Sequence, residues 1–81
     1  MATTGRQEIT KFWQKVSDSD CTMQSVMIDD SYDVAVGVDA PIDDFFVMRL
    51  ADPVTFAYKS PVWVRLNINT RKEGGSITII K

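Results

Sequence analysis

Phe45, Tyr58 and Lys59 are the residues whose types and spacing best fit a recognisable chemistry. An exposed aromatic ring stacks a nucleic-acid base while a neighbouring cation meets phosphate, and Arg49, Trp63 and Arg65 offer more of both groups. Catalytic candidates are poorer. Asp43-Asp44 and Asp29-Asp30 are adjacent carboxylates, but neighbours along a strand point to opposite faces and form no acid–base pair unless the backbone turns there. The acids lack the alternating spacing and closing glutamate of a calcium loop. The chain has no histidine, which removes Ser-His-Asp and Cys-His nucleophiles, and with the lone Cys21 it disfavours a zinc site. Gly74-Gly75 follows Arg71-Lys72-Glu73 without the strand–loop–helix context of a phosphate loop, so it reads as a hairpin turn. No catalytic residue, metal or cofactor is expected. The chemistry that remains is binding.

The elements that would position these residues begin with an N-terminal helix over about residues 5–17. Ile9, Phe12, Trp13 and Val16 fall on one helical face, and Thr4 and Gln7 have the spacing of a capping box. Beyond Cys21 the texture becomes β-like. Alternation and turn residues predict strands near 22–28, 32–38, 45–50, 54–59 and 62–69, with a short capped helix over Asp43–Ala51 as the alternative to the third, and an extra C-terminal strand near 76–80. In the strand near 45–50, Phe46, Met48 and Leu50 are expected to supply core, with Phe45 and Arg49 on the opposite face. Linkers of two to five residues leave no room for crossover helices, so the strands are read as antiparallel. Gly37 and Pro41 would let the sheet bend into a small barrel. The reading is therefore mainly β with an N-terminal α-helix: a bent five-stranded antiparallel barrel over about 22–69 and a C-terminal hairpin extension, in one domain spanning 1–81. A chain of 81 residues has a marginal core and benefits from self-association. No apolar run approaches a membrane span and the first residues do not resemble a secretory leader, so a cytoplasmic protein is expected.

Charge is unevenly distributed. From Asp18 to Asp52 nine aspartates face a single base, Arg49, for a net −8, while the two ends of the chain together carry +6. Two chemically distinct surfaces are expected, and the average charge does not favour nucleic acid.

From Gly37 to Ser60 the chain resembles the Sm-like (LSm) family, its bacterial Hfq branch above all. The run from Gly37 through Asp43-Asp44-Phe45 to Leu50 is similar to the first Sm motif, and Tyr58-Lys59-Ser60 stands where Hfq has Tyr-Lys-His. A helix ahead of five strands is also the Sm order. The resemblance implies a homo-oligomeric ring of five to seven subunits that binds single-stranded, U-rich RNA, as a chaperone or riboregulator. Its base pocket would use Phe45, Tyr58 and Lys59, with Asp44, Ser60 and Arg49 beside it and Gly37 and Asp43 as motif residues. The chain departs from the family where Ser60 replaces the histidine, Asp44 a neutral amide and Val47 the asparagine of other Sm proteins. These changes imply weaker, micromolar binding. The acidic middle supports two other readings: a ring-forming protein-interaction module, or a phage-type acidic inhibitor that imitates nucleic acid toward a basic partner.

Overall fold

In the segment Val62–Leu66 the burial alternates residue by residue: Val62, Val64 and Leu66 are buried, while Trp63 and Arg65 are only half-covered. The same period of two organises most of the chain. The computed structural model describes residues 2–27 and 29–81. Residue 28, which closes the strand expected over 22–28, lies outside the described residues, as does residue 1. Among the described residues eight strands follow one another: β1 (Thr4–Thr10), β2 (Gln14–Ser17), β3 (Cys21–Ser25), β4 (Tyr32–Val36), β5 (Phe46–Met48), β6 (Val54–Phe56), β7 (Val62–Leu66) and β8 (Gly74–Ile80).

They form two four-stranded antiparallel sheets, β1-β8-β3-β6 and β2-β7-β4-β5. Strand pairing is nested: β4 with β5, β3 with β6, β2 with β7 and β1 with β8. The chain is thus one long hairpin, bent between β4 and β5 and rolled into a sandwich, which is the winding of a jelly roll. Because all pairs are antiparallel, the connections alternate between the two ends of the sandwich. The loops β1–β2, β3–β4, β5–β6 and β7–β8 share one end, and β2–β3, β4–β5 and β6–β7 share the other.

This architecture corrects the expected helix and barrel. Among the described residues there is no helix, and so none long and apolar enough to cross a membrane. The segment expected as a helix over 5–17 forms β1 and β2, with a sharp turn at 11–13. Of its four helical-face residues, Ile9 and Val16 are buried, Trp13 is half-buried and Phe12 is 80% exposed. Long-range pairing decides the outcome: β1 runs against β8 without a break from Thr4 opposite Ile80 to Thr10 opposite Gly74. Seven residues of ladder outweigh a weak local helical pattern. The C-terminal strand is no hairpin extension either, since β8 lies inside its sheet between β1 and β3. Two open sheets replace the five-stranded barrel because β1 and β8 complete a second layer that covers the core. Gly37 is not a conformational requirement: its φ is not positive, and an added Cβ would meet nothing closer than 3.8 Å.

The core lies between the sheets and is built from Ile9, Val16, Met23, Tyr32, Val34, Val64, Leu66 and Ile77 among others. Tyr32 carries a polar group into it: its hydroxyl accepts from Ser25 Oγ at 3.4 Å and donates to the Ser76 carbonyl at 3.3 Å. Burial pushes the Tyr32 phenol above its ordinary pKa range. Gly75 is the residue over which this ring crosses β8. A Cβ there would come within 2.5 Å of Tyr32 Oη and 3.1 Å of Asp30 Oδ2, both on buried side chains. Gly75→Ala is therefore expected to cost about 1–3 kcal/mol by overpacking. Gly5→Ala, where nothing lies within 4 Å, should stay within about 0.5 kcal/mol of the parent. Urea denaturation of the two variants checks the contrast.

Candidate functional site

Alternation along β4 and β7 sends Asp33, Trp63 and Arg65 to the outer face of the sheet β2-β7-β4-β5, and register sets Asp33 opposite Arg65. The Asp33 carboxylate is fully buried, with Oδ2 accepting from Arg65 Nε at 2.7 Å and Oδ1 from Asn67 Nδ2 at 2.7 Å. The guanidinium, held there, lies 4.5 Å from the Trp13 ring centroid and 4.9 Å from that of Phe45. The two rings meet edge-on at 5.8 Å. This Asp33–Arg65–Trp13–Phe45 cluster fastens the residue just before β5. A second tie comes from Trp63 Nε1, which donates to the Gly37 carbonyl at 3.0 Å and anchors the start of the β4–β5 loop.

With its start fixed, β5 forms one outer edge of its sheet, and β6 forms the corresponding edge of the other. Between them the sandwich is open. A groove of about 910 Å³ runs there, walled by Phe46, Met48, Val54, Phe56 and Tyr58, with Asp43 and Asp44 at one end. Phe46 points from β5 toward the inner side beside Val34, yet remains 78% exposed because β6 does not cover it. That corrects its expected place in the core. Tyr58, Val47 and Ile42 are also exposed, making this side of the molecule apolar. A smaller recess of about 470 Å³ under the β4–β5 loop shares Ala35, Val36, Asp43 and Asp44 with the groove.

The opposite side is treated differently. There β1 and β2 are the edges, and the Gln14 side chain caps the C-terminal end of β1: its Oε1 accepts from the Thr10 backbone N–H at 2.6 Å and its Nε2 donates to the Glu8 carbonyl at 3.0 Å. An edge strand left with free N–H and C=O groups is a template for another strand, and folded proteins blunt such edges when pairing is unwanted. Among the described residues no loop or side chain hydrogen-bonds the backbone of β5 or β6 in this way.

Charge marks the two ends apart. The loops at the end carrying β4–β5 hold Asp18, Asp20, Asp39, Asp43 and Asp44 against Lys59, a net −4. The loops at the other end balance to zero, with Asp30 buried and bound by Lys72 at 3.2 Å. The acidic stretch legible in the sequence therefore concentrates at one pole.

Of the residues singled out from sequence, Phe45, Tyr58, Asp43 and Asp44 come together around the groove. Lys59 does not line it. Its backbone is left-handed, with φ 53°, and its N–H donates to Asp20 Oδ1 at 2.9 Å in the β6–β7 loop, where Ser60 is half-buried. Arg49 is exposed directly after β5, at the end of that strand away from Asp43 and Asp44. Sequence reasoning passed over Asp33, Trp13 and Gln14. Asp33 had one signal, a carboxylate on the half-buried face of an alternating strand, but its partner is set by β4–β7 register. Cys21 is buried, and burial raises its thiol pKa, so the thiolate is suppressed. Among the described residues no group of three His, Cys, Asp or Glu side chains could hold a metal ion. Compared with protein-family models, curated proteins and solved structures, the chain finds no match.

Proposed function

We propose that this protein is a non-enzymatic interaction module that accepts an extended polypeptide strand at its open β5–β6 side. The observation that carries the reading is the asymmetry of its edges: the Gln14 amide caps the end of β1 at Glu8 and Thr10, whereas β5 and β6 flank an apolar groove. Strand addition supplies main-chain hydrogen bonds, and the groove supplies side-chain pockets. Asp43 and Asp44 at the groove's end favour a basic residue on the incoming strand. A fluorescent (Lys-Val)₃ peptide is a suitable probe. It is expected to shift the ¹H–¹⁵N signals of Phe46–Met48 and Val54–Phe56 and to leave Thr4–Thr10 unmoved. Shifts confined to β1, or equal binding by a (Glu-Val)₃ peptide, would contradict the reading.

A second reading, single-stranded U-rich RNA, is supported by the exposed Tyr58 ring, with Phe45 lining the same groove. Against it, the cation over the Phe45 ring, Arg65, is already committed to Asp33, and the rim is acidic. The ring of five to seven subunits implied by the Sm resemblance would close through the edges of the strands near 54–59 and 62–69, but β7 lies inside its sheet between β2 and β4 and offers no free edge. Anisotropy with oligo-U and oligo-A tests it: the RNA reading expects oligo-U binding that Tyr58→Ala weakens and Asp44→Gln strengthens. No oligo-U binding at low salt excludes it.

A further inference from the structure

We infer that the strand received at this side is β5 of a second copy, paired antiparallel about a two-fold axis at Val47. The inference rests on the open-edge reading above and names its occupant. In that register Val47 faces Val47 of the second copy, Phe46 faces its Met48 and Phe45 faces its Arg49. The sheet β2-β7-β4-β5 then continues into its symmetry mate as eight strands. Phe46 and Val47, 78% and 59% exposed in the single chain, come under cover. The contact is isologous and closes on itself, so it yields a dimer and not a filament.

Charge selects this occupant and its direction. Asp43 and Asp44 precede β5 and Arg49 follows it, so the edge strand is acidic at one end and basic at the other. Antiparallel self-pairing brings each copy's Arg49 toward the other's Asp43 and Asp44, and places Arg49 against the Phe45 ring, an opposed pair of the kind that stabilises neighbouring strands. It also sets each acidic pole, net −4 in its loops, beside the balanced pole of the other copy. A parallel arrangement would put the two acidic poles side by side.

Sedimentation equilibrium of the full chain from about 5 to about 500 µM, with the variants beside it, tests this. The parent is expected to form a dimer. Val47→Lys should weaken it at least tenfold, or about 1.4 kcal/mol. Arg49→Glu should weaken it similarly, and Arg49→Glu combined with Asp44→Lys should recover most of the loss. Circular dichroism confirms that each variant keeps its strands. A dimer indifferent to Val47→Lys overturns the inference, as does a double variant no tighter than Arg49→Glu. A parent that stays monomeric but binds the (Lys-Val)₃ probe at β5 overturns the inference and leaves the open-edge reading standing. A monomer that ignores the probe overturns both.

Discussion

Ile9→Ala is expected to destabilise the protein by about 2–5 kcal/mol, the cost of emptying a fully packed position. For a chain of this size that lowers the melting temperature by about 10 °C or more. Phe12→Ala, three residues on, should change stability by no more than about 0.5 kcal/mol, because its ring is 80% exposed in the β1–β2 turn. The pair separates two accounts of the N-terminal segment. A docked amphipathic helix buries both side chains and both substitutions are costly; two strands joined by a turn bury Ile9 alone. Thermal melts of the two variants read the difference, and equal losses would contradict the strand account.

Asp33→Ala is the second substitution with a large expected effect. It removes the acceptor of two 2.7 Å bonds, from Arg65 and Asn67, at a carboxylate that is fully buried. Losing one member of a fully buried pair costs about 3–5 kcal/mol; the Arg65 side chain is 26% exposed and regains some solvent, so about 2–3 kcal/mol is expected here. Asp33→Asn keeps the size and one acceptor and should lose less. A local readout accompanies the loss of stability. Without Asp33, Arg65 is no longer pinned between Trp13 and Phe45, so native-state tryptophan fluorescence should change and β5 amides should exchange faster. An Asp33→Ala protein as stable as the parent would show that the cluster does not anchor β5.

How legible this was from sequence varies along the chain for identifiable reasons. The strands around Tyr32–Val36 and Val62–Leu66 show clear alternation, and the structure has strands there. Their ends were overextended because Gly37, Asn67 and Asn69 still fit the alternation after pairing has stopped. The N-terminal segment misled because Ile9, Phe12, Trp13 and Val16 satisfy a helical period, while the fact that decides it, pairing with β8, depends on residues about seventy positions away. A helix in that segment leaves a barrel as the natural closure of the remaining strands, without a second sheet. At the candidate site, Phe45, Tyr58, Asp43 and Asp44 were singled out as aromatic and acidic residues, and they do share a groove. The exposure of Phe46 on the inner side was invisible, since it depends on how little of β5 the short strand β6 covers. So was the role of Gln14, an ordinary polar residue until β1 is seen to be an edge.

The most direct test of β5 self-pairing is disulfide trapping at the centre of that strand. Directly opposed residues of an antiparallel pair have Cα atoms about 4.5–5.5 Å apart, within the range that a disulfide spans. Val47→Cys is therefore expected to oxidise rapidly at low micromolar concentration to a species of twice the 9.1 kDa chain mass, linked through position 47. Glu8→Cys, where the Gln14 amide caps the β1 edge, should cross-link far more slowly, and the buried Cys21 should not take part. Cross-linking of Val47→Cys no faster than of Glu8→Cys would contradict that pairing.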